Sequence, residues 1–345
     1  MSSSRLIPAA LAFLALGYAG CAAGSGGAAG VVDAGPTTPA SARELLSVLA
    51  HDSLQGRRTG TESAMSAARF IADEMERIGL ESLGDDGFLQ TVPLVTGARR
   101  PSLAESMAAF DTVAAERRLP AANVVGLLRG SDAALRDEYV IVGAHYDHVG
   151  MNAARAVNGD SIFNGADDDA SGVVAMLETA RQLAAEPPAR SVIFVAFTGE
   201  ESGMTGTHWY IRSAPRPLER TVADIQIEMI GRPDSLAGGP GKGWLTGYER
   251  SSMGLMLSAA GIAVIADPRP AMNFFARSDN YPFAQAGIPA HTISSFGGHA
   301  DYHQPSDEIG TIDFEHFAAL INATAQAVRV IADGARPEWV EGGRP

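Results

Sequence analysis

The chain has 345 residues, of which 46% are hydrophobic and 19% are charged, and its formal net charge is −14. This composition excludes a disordered polymer and a bundle of membrane-spanning helices, and it is typical of a folded enzyme with a sizeable core. The acidic excess, without any run of Lys or Arg, excludes nucleic acid as a partner.

The first 20 residues predict a signal for export. Arg5 precedes an apolar stretch over 6–16 that is too short to remain as a membrane-spanning helix, and Tyr18 and Cys21 follow it. This order is similar to a bacterial lipoprotein signal, in which cleavage leaves an acylated cysteine as an anchor. We expect a protein of the cell envelope, facing the periplasm or the surface, whose one membrane contact is a lipid at Cys21. Secretion without the lipid is the alternative.

The composition changes after the signal. Residues 21–40 are rich in Gly, Ala and Ser and predict a flexible tether, whereas 41–335 predict a single folded domain with a short tail over 336–345. Because Cys21 is the only cysteine, the fold contains no internal disulfide.

The first part of the domain combines helices with a strand. The spacing of apolar residues over 41–82 predicts two amphipathic helices, the second closed by Gly79. A strand is predicted over 88–94, and the polar segment over 96–120 is interpreted as a connection with a weak helical stretch.

From residue 123 onward, short apolar runs alternate with helical patterns. This alternation predicts a three-layer α/β/α sandwich with a mostly parallel central sheet, whose central strands are buried on both faces. The predicted strands include 140–142, 192–197 and 225–230, and the predicted helices are 172–185, 205–212, 253–260 and 313–332.

Polar side chains follow these apolar runs, where the carboxyl ends of parallel strands form a binding edge. The clusters are AHYDH at 144–148, NGADDDASG at 164–172, TGEESG at 198–203, EMIG at 228–231 and HADYHQPSD at 299–307. Imidazole and carboxylate ligands without a thiolate favour zinc, cobalt or manganese in an open catalytic site.

The spacing within the clusters suggests different roles. His145 and Asp147 are two residues apart, so on a strand they share a face and the carboxylate can orient the imidazole. Glu200 and Glu201 are adjacent and point in different directions, so one can bind metal while the other handles a proton. Three successive aspartates over 167–169 repel one another unless a cation neutralises them, so we expect at least one of them to contact metal.

Six motifs together resemble one family. AHYDHVG, FNGADDDASG, FTGEESGMTG, EMIGR, RSDNYPF and DYHQPSD occur in the order seen in secreted double-zinc aminopeptidases of the bacterial leucyl aminopeptidase type. The resemblance covers most of 41–335 and implies a zinc-exopeptidase-like fold. The same family contains glutamate carboxypeptidases and glutaminyl cyclases.

The resemblance implies a ligand set for two zinc ions per chain. His145 ligates one zinc, Asp168 bridges both, Glu201 binds one zinc and His303 binds the other. Glu228 falls on the remaining ligand position, where the family ordinarily has aspartate, so a longer side chain reaches for the metal.

Further roles are implied for residues around the metals. Glu200 is the general base, which takes a proton from a water bridging the two ions and passes it to the leaving amine. Arg277 and Tyr302 match residues that contact substrate and polarise its carbonyl group. The resemblance also implies a cis peptide between residues 168 and 169, and Asn280 stands where a histidine is common.

The expected function is that of a zinc-dependent metallopeptidase, an aminopeptidase acting on peptides with a free N-terminus, which an acidic site attracts. The alternatives are a glutaminyl cyclase or carboxypeptidase on the same scaffold, or a surface lipoprotein that binds without catalysis. A serine hydrolase is disfavoured because the sequence has no GxSxG motif.

Overall fold

The computed structural model describes residues 35–345, so the predicted signal over 1–20 and the predicted lipid site at Cys21 lie outside the described residues. The described α-helices are α1 (Pro39–Leu49), α2 (Glu62–Ile78), α3 (Met107–Thr112), α4 (Gly172–Ala185), α5 (Thr205–Arg212), α6 (Met253–Ala259), α7 (Asn280–Ala286) and α8 (Phe314–Asp333). The described strands are β1 (Glu81–Ser82), β2 (Leu89–Thr91), β3 (Leu94–Val95), β4 (Ser102–Leu103), β5 (Arg118–Leu119), β6 (Ala122–Leu128), β7 (Tyr139–His145), β8 (Gly150–Met151), β9 (Ile162–Phe163), β10 (Ser191–Phe197), β11 (Thr221–Ile227), β12 (Gly243–Leu245), β13 (Val264–Ala266) and β14 (Ala290–Ser294).

The main sheet has four parallel strands at its centre, in the order β10-β7-β11-β14. Antiparallel pairs flank them, with β6 beside β10 on one side and β12 beside β14 on the other. Strands β7 and β10 are buried along their whole length, which explains their continuous apolar sequences. The centre of the sheet therefore directs several strand ends toward one edge.

Helices cover both faces of the sheet. On one face, α1, α2, α4 and α8 pack against side chains such as Val142 and Phe194 in the largest apolar cluster. On the other face, Tyr210 of α5 and Phe283 of α7 pack against Phe197. This arrangement confirms the predicted three-layer α/β/α sandwich. Within residues 35–345, no helix combines the length and the hydrophobicity needed to cross a bilayer.

The helix boundaries follow from local chemistry. The Thr61 hydroxyl accepts a hydrogen bond from the Ala64 N–H at the start of α2, and Gly79 ends that helix with φ of +90°. Asp313 caps α8 by accepting from the His316 N–H. The structure confirms both helices predicted over 41–82.

Two predicted strands have different bounds in the structure. The strand predicted over 88–94 is split into β2 and β3, because Pro93 has no N–H to continue the ladder. The strand predicted over 225–230 ends at Ile227, because Met229 adopts a positive φ of 52° that an extended strand excludes.

The segment over 96–120 is more than a connection. Its strands β4 and β5 pair with β3 in a separate three-stranded sheet. Apolar side chains of this sheet and its surroundings pack against Trp209 of α5. The sequence interpretation missed this small sheet because two-residue strands leave no detectable alternation.

The predicted tether extends too far into the domain. Thr37 is buried, and its hydroxyl donates a hydrogen bond to Glu178 Oε2 at 2.6 Å. Helix α1 begins at Pro39, so residues near the end of the predicted 21–40 tether belong to the folded domain. Thr38 as the N-cap, followed directly by Pro39 at the first helical position, is a helix start that the Gly/Ala/Ser composition concealed.

The predicted tail over 336–345 also packs onto the domain. The Trp339 indole N–H donates to the Gly287 carbonyl at 2.9 Å, and the Val340 N–H donates to the Arg250 carbonyl at the same distance. The folded domain therefore includes most of this segment.

Candidate metal centre

The predicted site residues lie at the carboxyl ends of the central strands. His145 is the last residue of β7, Glu200 and Glu201 follow β10, and Glu228 comes directly after β11. Because these strands are parallel neighbours, their ends meet at one edge of the sheet. His303 reaches the same edge from the segment between β14 and α8.

Residues 167–169 connect these strand ends. Asp169 accepts hydrogen bonds from the His145 N–H at 3.2 Å and from the Met229 N–H at 3.0 Å, so it ties β7 to the residue that follows Glu228. The peptide between Asp168 and Asp169 is cis, as the resemblance implied. Asp169 thus fixes backbone, while Asp168 directs its carboxylate to the other site residues.

Asp167 and Asp307 secure the loops around the site. Asp167 accepts from the Gly231 N–H at 2.7 Å and contacts His299 Nε2 at 3.0 Å. Asp307 accepts from the backbone N–H groups of Asp167 and Asp168, each at 3.0 Å. Of the three successive aspartates, only Asp168 belongs to a group of side chains that could bind metal.

One such group consists of His148, Asp168, Glu201 and His303. His303 Nε2 lies 3.1 Å from Asp168 Oδ2 and 2.9 Å from Glu201 Oε1. His148 Nδ1 lies 3.1 Å from the same oxygen of Glu201 and 3.7 Å from Asp168 Oδ2. Four donor atoms therefore converge within the reach of a single cation.

The second group consists of His145, Asp168 and Glu228. His145 Nε2 lies 3.4 Å from Asp168 Oδ1, the oxygen opposite the one that faces His303. Asp168 thus offers one carboxylate oxygen to each group. The structure brings all five predicted ligands together around this residue. It places Glu201 and His303 in the same group, however, so the expectation that they bind different ions is wrong.

The hydrogen bonds of these side chains leave several donor atoms available to bind a metal ion. The Nδ1–H of His145 donates to the Asp147 carbonyl at 3.0 Å, which leaves the Nε2 lone pair facing Asp168. Among the described residues, His145 Nε2, both ring nitrogens of His148 and Glu201 Oε1 are buried without a hydrogen-bond partner. Buried polar atoms ordinarily have partners, and nitrogen with carboxylate oxygen is a donor set that zinc accepts.

Glu200 belongs to neither group but lines the same pocket. Desolvation raises its pKa well above the usual value, and the charges of Glu228 and Asp279 act in the same direction against the opposing effect of His145. Burial also acts to raise the pKa of Glu201, but contacts with His148 and His303 lower it to about 2. The adjacent glutamates therefore differ in proton affinity, as a division of roles requires.

The predicted role of Asp147 is wrong in detail. Its carboxylate lies 3.9 Å from His145 Nδ1, and the backbone carbonyl of Asp147 takes the hydrogen bond instead. The carboxylate accepts from the Gly199 N–H at 2.7 Å, the Glu200 N–H at 3.2 Å and the Thr59 hydroxyl at 2.5 Å. Strand β7 ends at His145, so the alternation of side chains that the prediction assumed does not continue to Asp147.

A pocket adjoins the donor groups. Arg277 and Tyr302, the two predicted substrate-binding residues, both line it. The Arg277 guanidinium carbon lies 5.1 Å from the ring centre of Phe274, and the Tyr302 ring stacks on His303 with centres 4.0 Å apart. The wall also contains the aromatic rings of Trp244, Phe274 and Phe296.

Asn280 is buried in the core and does not line the pocket. Its amide donates to the Phe275 carbonyl at 3.1 Å and accepts from the Thr292 hydroxyl at 3.0 Å, and the side chain is fully buried. Asparagine at this position therefore links the start of α7 to β14.

Sequence reasoning missed His148. It lies in the AHYDH cluster, but its spacing from His145 suggested no shared face on a strand. Strand β7 ends at His145, and His148 belongs to an isolated bridge with Arg58, from which its side chain joins the group that contains Glu201 and His303. The one available signal was a second imidazole within three residues of a predicted ligand.

Comparison with known proteins places this site in a family. A profile described as Peptidase family M28 matches residues 123–328. An uncharacterised protein YfbL of Escherichia coli is 29% identical over 216 residues, covering 53% of this chain and 64% of that protein. Aminopeptidase YwaD of Bacillus subtilis is 27% identical over 212 residues, covering 60% of this chain and 44% of that protein. Both matches span less than two thirds of the relative's own length.

Solved structures share the fold. The zinc aminopeptidase BSAP from Bacillus subtilis superposes with a TM-score of 0.61 at 18% identity, covering 86% of this chain and 96% of that one. A leucine aminopeptidase precursor from Bacteroides thetaiotaomicron gives a TM-score of 0.62 at 16% identity, covering 87% and 99%. With the profile match over more than half of its residues, the chain belongs to peptidase family M28.

Proposed function

We propose that this protein is a zinc-dependent aminopeptidase that holds two metal ions per chain. The observation that carries the proposal is the pair of donor groups that share Asp168, with Glu200 beside them in one pocket. Relatives and fold neighbours named as aminopeptidases and as a zinc aminopeptidase support it.

The donor sets define which residues hold each ion. His145 and Glu228 would hold one ion and Glu201 and His303 the other, and Asp168 would contribute an oxygen to both. When bound, the metal ions lower the pKa of water and polarise the carbonyl of the scissile amide.

Glu200 moves the proton. Its raised pKa suits a carboxylate that accepts a proton from the attacking water and gives it to the nitrogen of the leaving amine. The backbone N–H groups of Gly199 and Glu200 are held by Asp147, which keeps the base in place beside the donor groups. Arg277 and Tyr302 orient the substrate from the pocket wall.

The charge of the site favours a free N-terminus. Of the carboxylates that line the pocket, Glu200 belongs to neither donor group, and its negative charge attracts the ammonium group of a peptide's first residue. An internal peptide bond offers no such cation. The proposed substrate is therefore a peptide with an unblocked first residue.

A panel of chromogenic substrates tests this function. We expect metal-replete protein to hydrolyse aminoacyl amides, with two zinc ions per chain measured in the same sample, and to leave N-acetylated amides intact. Equal hydrolysis of acetylated amides would contradict the exopeptidase assignment. One zinc per chain, with release of ammonia and formation of an N-terminal pyroglutamyl residue on glutaminyl peptides, would instead identify a cyclase.

We also propose, from the sequence alone, that residues 1–20 export the chain and that Cys21 carries a lipid. Labelling of expressing bacteria with radioactive palmitate tests this. The wild-type chain should take up label and a Cys21→Ala variant should not. Equal labelling of the two chains, or none in either, would contradict the lipid anchor.

A further inference from the structure

We propose that His148 is a fourth protein ligand at one of the two metal positions, so that the two positions bind metal unequally. This inference deepens the proposed function and rests on it, because it concerns the same metal centre. The position formed with Glu201 and His303 would have four protein donors, and the position formed with His145 and Glu228 would have three.

The donor distances carry the first step. Two donors bound to one zinc ion at ordinary bond lengths and tetrahedral angles are separated by about 3.4 Å. Nδ1 of His148 lies 3.1 Å from Glu201 Oε1 and 3.7 Å from Asp168 Oδ2, on either side of that value. The corresponding separations for His303, a ligand implied by the resemblance, are 2.9 and 3.1 Å. The distances from His148 Nδ1 to these two carboxylates are therefore those expected of a zinc ligand.

The hydrogen bonding carries the second step. His148 is 1% exposed, yet neither ring nitrogen has a hydrogen-bond partner. Its Nδ1 lies 3.1 Å from Glu201 Oε1, an oxygen that is also buried without a hydrogen-bond partner. A structural histidine buried to this extent would be bonded.

The surroundings fix the ring in this direction. Gly165 packs against it so closely that a Cβ on that residue would lie 2.6 Å from two ring carbons. The His148 N–H donates to the Arg57 carbonyl at 3.3 Å, which anchors the backbone beside it. The side chain therefore meets its two carboxylate neighbours without needing to rearrange on metal binding.

A difference of one ligand has a measurable consequence. The first equivalent of metal should bind at the position that contains His148, and the second should bind more weakly beside His145. Removing the His148 imidazole should weaken the tighter class by at least about 100-fold, the upper range for loss of a mere outer-shell partner, and bring the two classes together.

A titration of Zn²⁺ into the metal-free protein, monitored by calorimetry, tests the inference. Wild type, His148→Ala and the less disruptive His148→Gln are compared, with His208→Ala as the control because His208 is exposed on α5, outside both groups. We expect two affinity classes in wild type and in the control, and a weakened tight class in both His148 variants. Unchanged tight binding in either folded His148 variant would overturn the inference.

A second measurement uses the wild-type chain and does not depend on a variant folding. In the Co²⁺-loaded protein, each ligating imidazole contributes one exchangeable ring N–H signal that the ion shifts far downfield. Three such signals are expected from His145, His148 and His303, and two would overturn the inference.

The same experiments separate this inference from the proposed function. If wild-type protein binds two ions and hydrolyses aminoacyl amides while the His148 variants keep its affinities, only the role of His148 is wrong. If wild-type protein binds no metal and hydrolyses nothing, the proposed function fails and the inference fails with it.

Discussion

Two of the buried histidines in this fold differ in how their ring nitrogens are used. His291 of β14 donates from Nδ1 to the Thr246 carbonyl and accepts at Nε2 from the Ser251 hydroxyl, each at 2.7 Å. His148 is buried equally but has no hydrogen bond at either nitrogen. Burial alone therefore does not separate a structural histidine from a functional one, whereas the partners of the ring nitrogens do.

The carboxylates show the same contrast within a few residues. Asp167 and Asp169 accept backbone N–H groups at the ends of β7 and β11, whereas Asp168 between them faces three imidazoles. The two outer aspartates thus form a hydrogen-bonded frame around a centre whose ring nitrogens and carboxylate oxygens include several without hydrogen-bond partners. Such a frame keeps ligands in place before metal arrives, which reduces the cost of organising them.

Removal of metal is the strongest test of this contrast. Dialysis against a chelator should abolish amide hydrolysis and lower the melting temperature, because the carboxylates around Asp168 then repel one another without compensation. Restoring zinc at about 1,000 times its dissociation constant should return about 4 kcal/mol of stability. The measurement is thermal unfolding and turnover before and after restoration. A melting temperature indifferent to zinc would contradict the metal centre.

Replacement of the base should have the next largest effect. Glu200→Gln keeps the volume of the side chain but cannot accept a proton, so turnover should fall by about 10²- to 10⁴-fold. Zinc content should stay at the wild-type value, because Glu200 is in neither donor group. Steady-state kinetics with metal analysis of the same sample decides it. Near-normal turnover in Glu200→Gln would assign the proton transfer to another group.

A smaller effect is expected from Asp147, which holds the backbone of the base. Asp147→Ala removes the acceptor for the Gly199 and Glu200 N–H groups, which should lower kcat by about 10- to 100-fold by loosening the base. Asp147→Asn retains an oxygen that can accept from Gly199 and should recover most of the loss. If Asn is as damaging as Ala, the negative charge of Asp147 matters more than its hydrogen bonds.

The smallest effect concerns His291, away from the metal centre. Burial lowers its pKa to about 4, against an ordinary value of 6.5, so between these values the unfolded chain binds the proton first. Stability should therefore fall as the pH drops below about 6.5, by about 2 kcal/mol between pH 7 and pH 5, and should stop falling from this source near pH 4. Urea unfolding of metal-free wild type and His291→Asn measures it. The stability difference between the two proteins should shrink toward low pH, and a constant difference would contradict the shift.

Much of the site could be predicted because its residues follow strands. His145, Glu201 and Glu228 come directly or shortly after apolar runs, and the parallel order of those strands brings their ends together. His303 lies in a loop between β14 and α8 that has no periodicity. Its polar cluster was visible in the sequence, but only the family resemblance assigned it a role as a ligand. The three-layer fold was predictable for the same reason, since buried strands and amphipathic helices have distinct patterns.

The remaining features depend on irregular backbone that composition does not encode. The direction of His148 and the partners of Asp147 are set by the irregular segment after β7. The small sheet of β3, β4 and β5 consists of strands too short to produce a pattern. In each case a few dihedral angles, and not the residue types, decide what a side chain contacts.

The anchored turn after β11 limits which acid can replace Glu228. The Met229 N–H is fastened to Asp169, and its left-handed backbone fixes where the neighbouring Cα stands. Glu228→Asp would withdraw the carboxylate by about one carbon–carbon bond, and the fastened main chain could not slide forward to restore its reach. The extra methylene of Glu228 is therefore needed for its carboxylate to reach the other ligands. Replacing it with aspartate, the residue usual in the family, should disturb the site.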